Sequence, residues 1–183
     1  MDNLTKIAEE VNKCQKCPLA KDRTRAVPGD GSKKSGLMFI GEGPGREEDK
    51  QGLPFVGTAG KFLDELLSVI KLERKEVFIG NVVKCRPPGN RDPLPEEIAT
   101  CLPYLERQVE ALKPKLIVLL GRHAMYRFLP EQLKISKVHG KPFRRHNQVY
   151  LPLYHPAAAL YHGSLRETII KDFKKIPLLL KKI

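Results

Sequence analysis

Four short apolar runs set the strongest limit on how this chain can fold: LMFI at 37–40, VFIG at 77–80, LIVLL at 116–120 and VYLPLY at 149–154. Each has the length of a strand, and a strand without polar alternation needs packing on both of its faces. The segments between them have helical spacing. Residues 4–11 do so first, and Thr58 can cap a helix through Lys61, Phe62, Leu63, Leu66, Leu67 and Ile70. Pro95, Glu96 and Glu97 open another helix that runs to about Leu112, with Cys101 on its first turns. A short helix is expected near 123–128, and Ser164 can cap a basic C-terminal helix toward Leu180 with a break at Pro177. The expected architecture is therefore α/β, a central four-stranded parallel sheet with helices on both faces, in one domain spanning residues 1–183.

Open parallel sheets bind ligands beyond the carboxyl ends of their strands. Here those ends are chemically unusual. The first run leads into Gly41-Glu42-Gly43-Pro44-Gly45, the second into Asn81, the fourth into His155-Pro156, and the third into Gly121-Arg122-His123, which reads as a tight turn with a helix cap. The glycine loop is neither a dinucleotide fingerprint nor a P-loop: Gly60-Lys61 would need glycine where Phe55 stands, and Ser or Thr where Phe62 stands. It does let the backbone approach a ligand closely. Phe55, between Pro54 and Val56, can wall a planar ligand or anchor a loop. The amide of Asn81 offers one donor and one acceptor, the pair that reads N3–H and O4 of uracil and that cytosine would oppose. Held extended by Pro156, His155 can donate to the oxygen that gains charge as a base departs. Taken singly, each of these residues also has an ordinary structural reading. His123, His139, His146 and His162 show no metal-ligand spacing and read as surface or structural residues.

Four cysteines complete the pattern. In a reducing compartment they read first as metal ligands or catalytic groups rather than disulfides. Cys14 and Cys17 form a C-x-x-C turn, while Cys85 and Cys101 stand far along the chain, each near proline. A thioredoxin-like pair is disfavoured, because nothing strand-like precedes Cys14. Four thiolates suit one four-ligand site, which zinc and a four-iron cluster fill equally well, and four independent buried cysteines are the plain alternative.

The chain carries 33 Lys and Arg against 21 Asp and Glu, a net charge of +12 that favours a polyanionic partner. Lys84, Arg86 and Arg91 are the candidate phosphate contacts. The absence of Trp argues against an aromatic single-strand platform. No run of about 18 apolar residues occurs, and the polar N-terminus lacks the centre of a signal peptide, so a soluble cytoplasmic protein without a membrane partner is expected. Abundant Lys and Glu point toward a thermophilic source.

GEGPGREED with PFVGTAG, then NVVKCRPP, then HPAAAL, with cysteines at 14, 17, 85 and 101, resembles the family 4 uracil-DNA glycosylases over nearly the whole chain. The resemblance implies the three-layer fold of that superfamily and one structural four-iron, four-sulfur cluster on Cys14, Cys17, Cys85 and Cys101. It implies a monofunctional base-excision enzyme acting on uracil in single- or double-stranded DNA, expected to be a monomer. Phe55 would stack on a flipped uracil, Asn81 read its edge, His155 face O2, and the loop Gly41–Gly45 close the pocket. Glu48 would position water. Family 1 relatives carry aspartate and tyrosine where Gly43 and Gly45 stand, which leaves Glu42 as the candidate against the thymine methyl. Ala159 stands where several relatives carry a leucine wedge, and Leu160 can substitute. Two rival readings stay open: a non-catalytic metal-stabilised nucleic-acid-binding module, and a glycosylase for another deaminated base such as hypoxanthine.

Overall fold

A computed structural model describes residues 3–183; Met1 and Asp2 of the polar N-terminal stretch lie outside them. The chain opens with α1 (Leu4–Lys13), whose first turn is capped by Asn3 Oδ1 accepting from Lys6 N at 2.8 Å, and α2 (Leu19–Asp22). Two strands follow, β1 (Asp30–Gly31) and β2 (Leu37–Gly41), then α3 (Arg46–Gln51), α4 (Thr58–Val69) and β3 (Phe78–Asn81). The second half holds α5 (Pro95–Leu112), β4 (Leu116–Leu120), α6 (Arg122–Phe128), α7 (Ile135–Val138), β5 (Phe143–Arg145) and β6 (Gln148–Leu153). Three helices, α8 (Ala158–Tyr161), α9 (Leu165–Phe173) and α10 (Ile176–Leu180), end the chain. No helix among the described residues is long and apolar enough to cross a membrane.

The sheet order is β1-β3-β2-β4-β6-β5. The four expected strands, β3, β2, β4 and β6, form its parallel centre, with Gly41 opposite Asn81 at the shared end of β2 and β3. Expectation and structure differ at the edges, because β1 and β5 extend the sheet to six strands and both run antiparallel. Neither edge had an apolar run to announce it. Asp30-Gly31 is a two-residue pairing, and Phe143–Arg145 joins β6 through a tight turn in which His146 takes φ +50°. Alternate residues of the central strands feed two cores. Met38, Ile40, Ile117 and Leu119 pack with α1, α5 and α6 on one side, while Leu37, Phe39, Leu116, Val118 and Leu120 pack with α4, α9 and α10 on the other. Helices therefore cover both faces, as unalternated strands require.

Local differences have local causes. Thr58 is the first residue of α4 rather than its cap, since the extended position is taken by Gly57. Ser164 precedes α9 in helical conformation and makes no side-chain cap bond. The C-terminal break falls at residues 174–175, with Pro177 in the first turn of α10, where a missing N–H costs nothing.

Candidate active site

From β2 outward, the chain switches sides: β3 lies on one flank of β2, and β4 and β6 on the other. The crevice this leaves at the carboxyl ends of the strands is a cleft of about 380 Å³ lined by Glu42, Gly43, Gly45, Glu48, Phe55, Asn81 and His155. Thus the sequence-derived pocket residues do meet in space, although Gly41 contributes from beneath. A Cβ built on Gly41 would stand 2.5 Å from Asn81 Oδ1 and 2.6 Å from Phe55 Cζ, so only glycine lets these two side chains close over the strand end.

Phe55 is held in an unusual backbone conformation, φ +53°, and is 5% exposed. Arg74 donates to the carbonyls of both Pro54 and Phe55, and α4 comes so close that a Cβ on Gly60 would lie 1.8 Å from the Phe55 carbonyl oxygen. The ring stacks on the imidazole of His155, centroids 5.4 Å apart. Glu48 ties this loop to the glycine loop: Oε1 accepts from Val56 N and Gly57 N at 2.8 Å each, and Oε2 accepts from Gly45 N at 3.1 Å. The stretch after Gly45 is α3, and Glu48 caps it from within.

His155 leaves the end of β6 against Gly121, whose φ of +89° and missing side chain admit the histidine Cβ. Ala157 N donates to His155 Nδ1 at 3.1 Å, so the ring proton resides on Nε2. Burial pushes the imidazole down to about 4, against the opposing pull of the Glu48 charge, and at neutral pH the ring is an uncharged Nε2–H donor. Asn81 is 1% exposed. Among the described residues its Oδ1 is the one buried side-chain oxygen without a hydrogen-bond partner. Such an acceptor is costly to leave unsatisfied and points to a ligand that donates to it.

The Uracil DNA glycosylase superfamily model matches residues 28–176. The chain is 51% identical to a type-4 uracil-DNA glycosylase of Sulfurisphaera tokodaii (96% of this chain, 84% of that protein) and 50% identical to one of Archaeoglobus fulgidus (96% and 92%). It is 43% identical to a third, from Thermotoga maritima (96% and 94%). The chain belongs to the type-4 uracil-DNA glycosylase family. By contrast, a type-5 uracil-DNA glycosylase of Pyrobaculum aerophilum is 31% identical over 55% of the chain.

In this family member the four cysteines converge as well. They line a single apolar cavity with Val11, Ala20, Arg23, Lys84 and Tyr104, between α1 and the start of α5. Arg23 Nη1 donates to Cys85 Sγ at 3.0 Å, and Lys84 N donates to Cys101 Sγ at 3.2 Å. Both bonds favour thiolates, but burial dominates at Cys101 and pushes its thiol up to about 11 against the opposing pull of Lys84, so a bound metal would displace its proton. Four sulfurs around one apolar cavity are the donor set of a single four-thiolate metal site.

Of the expected phosphate contacts, Lys84 must be withdrawn. It is 1% exposed, and its Nζ donates to Asn81 O (2.8 Å) and Gln108 Oε1 (2.7 Å); its place in the run NVVKC, continuing a buried strand, outweighed its charge. Arg91 lines the cleft but forms a bidentate pair with buried Glu97 at 2.7 and 2.9 Å. Arg86 is partly exposed, its Nε donating to Asn90 Oδ1 at 2.7 Å. Leu160 is 47% exposed on α8, and the neighbouring Tyr161, not singled out in the sequence, is 83% exposed at the cleft mouth.

His123, expected as a surface or structural residue, joins a cluster of charged groups. The fold brings its Nε2 to 3.1 Å from Asp92 Oδ2 and 3.7 Å from Glu42 Oε2. The three ligand atoms lie within 4.8 Å of one another, but Arg122 donates to both Asp92 and His123 and already supplies the positive charge. Spacing of 42, 92 and 123 along the chain carries no signal of this cluster.

Proposed function

We propose that this chain flips uracil from DNA and hydrolyses the bond between uracil N1 and deoxyribose C1′, leaving an abasic site as the first step of base-excision repair. The observation that carries the reading is the unpartnered buried acceptor of Asn81 beside a neutral His155 whose proton is fixed on Nε2. Uracil supplies what both lack: N3–H for Asn81 Oδ1, and O2 as the acceptor for Nε2–H. As the N1–C1′ bond breaks, its electron pair moves onto the base and charge grows on O2, so the histidine bond strengthens in the transition state. Phe55 provides the flat wall for the flipped ring.

Water adds to C1′ and its proton leaves to the departing base or to solvent, with no covalent enzyme intermediate. Glu48 has about four lone-pair positions as a carboxylate, and three accept backbone N–H groups. The one left is the acceptor assigned to water, and the other three make Glu48 the clamp of the pocket. We assign the exclusion of the thymine methyl to Glu42, whose Oε2 lies 3.7 Å from His123 Nε2. Arg86, Leu160 and Tyr161 form the DNA-facing rim.

The cysteines hold one four-iron, four-sulfur cluster, which supplies a covalent anchor for the N-terminal segment and no redox step. Cys14 and Cys17 bring α1, while Cys85 and Cys101 bring the loop after β3 and α5. The enzyme is a monomer and monofunctional in this reading.

The test is incubation with identical oligonucleotides carrying U, T, C or hypoxanthine, followed by alkaline cleavage. Cleavage at uracil and not at thymine or cytosine is expected, with no borohydride-trapped adduct. Cleavage at hypoxanthine but not at uracil, or none with tight binding to undamaged DNA, would overturn it in favour of one of the rival readings.

A further inference from the structure

Lys84 uses every polar atom it has to join two sites. Its amide N–H donates to Cys101 Sγ at 3.2 Å and its carbonyl accepts from Val27 N at 2.7 Å. Its ammonium donates to the backbone oxygen of Asn81 at 2.8 Å and to Gln108 Oε1 at 2.7 Å. Gln108 is itself 1% exposed and donates through Nε2 to Pro28 O at 2.6 Å. A buried ammonium is costly, and methionine would fill much the same space without that cost. Retaining a cation here makes sense where a donor must sit at one fixed point. That point is the strand-end carbonyl of Asn81, where β3 leaves its pairing with β2 and the next amides turn to Gly41 and Glu42.

Resting on the reading of Asn81 as the uracil reader, we propose that Lys84 is a positioning residue for that asparagine: its buried ammonium, braced by Gln108, fixes the Asn81 peptide relative to the cysteine site. Small misplacements of a reading group lower rate steeply, on the order of 100-fold for 1 Å. Lys84→Met removes the donor and keeps the backbone bond to Cys101. Expected are a roughly 10- to 100-fold loss of uracil excision at saturating DNA, with unchanged absorbance at about 400 nm, iron content and affinity for uracil-free DNA. Lys84→Gln, which keeps a shorter donor, should recover part of the loss.

The deciding measurement is the double-mutant cycle with Asn81→Ala, in which Lys84→Met should add less than threefold once the asparagine side chain is gone. Full additivity, or a Lys84→Met enzyme within threefold of the unsubstituted one, would overturn the proposal. Should Lys84→Met not accumulate as an iron-containing protein, Gln108→Met carries the same cycle. A loss that again vanishes with Asn81→Ala supports the proposal, and an additive loss or none overturns it. If the unsubstituted protein does not release uracil, it is the functional reading that fails, not the positioning role.

Discussion

Substituting Gly41 by alanine tests how tightly the pocket depends on one missing methyl group. The new Cβ would stand 2.5 Å from Asn81 Oδ1, 2.6 Å from Phe55 Cζ and 2.8 Å from Phe55 Cε2. Ordinary carbon contacts lie at about 3.5–4.0 Å, so the ring, the amide or both must retreat by about 1 Å. Neither has room to do so freely. Asn81 is 1% exposed, while Phe55 is 5% exposed and pinned through its backbone by Arg74 and Gly60. Overpacking of this kind costs about 1–3 kcal/mol of stability, and a shift of about 1 Å in a positioning group costs roughly 100-fold in rate. Single-turnover release of uracil from a U·G duplex should therefore fall about 100-fold, while the protein stays folded and binds uracil-free DNA as before. Gly36→Ala is the control, because its Cβ would meet only Lys115 Cγ and Cδ at 3.8 and 3.9 Å. A Gly41→Ala enzyme within threefold of the unsubstituted rate would refute the claim that strand-end packing sets the reading geometry.

Three further outcomes follow from the same geometry. Because burial holds the His155 pKa at about 4, the rate should show no imidazole step between pH 8 and 5 and should fall only as pH approaches 4. The unfolded histidine, near 6.5, binds protons that the folded one refuses, so stability decreases as pH drops from about 6.5 toward 4, by up to about 3 kcal/mol, in denaturant titrations. Glu48→Gln turns an acceptor into an amide donor facing Gly45 N or the Val56 and Gly57 amides, and should lower unfolding free energy by about 2–3 kcal/mol together with activity; an unchanged denaturation midpoint would remove Glu48 as the clamp. Stripping the cluster proposed on the four cysteines opens the link between Cys17 and Cys85, a closure worth about 4 kcal/mol of unfolded-chain entropy for a loop of this length, and calorimetry should show Tm lowered by about 10 °C.

The parallel centre of the sheet was legible because burial on both faces leaves runs such as LIVLL at 116–120, and no other surface can cover them. Asn81 and His155 were legible as neighbours for a related reason, since strand ends in such a sheet point into one crevice, which Phe55 reaches from the loop between α3 and α4. The four cysteines announced a shared site through their number and the C-x-x-C turn. Edge strands β1 and β5 were not legible, because short or exposed pairings need no apolar signature. The roles of charged residues were the least visible of all. Lys84 reads as a cation for phosphate, yet the fold buries it between Asn81 and Gln108; Arg91 reads the same way and is committed to Glu97; His123 reads as a surface or structural residue, and its partners Glu42 and Asp92 appear only in the fold. Apolar burial is written locally, in the order of side chains along one strand or helix. Where a charge ends up depends on partners tens of residues away, so only the tertiary structure decides whether it faces a ligand, a metal site or another charge.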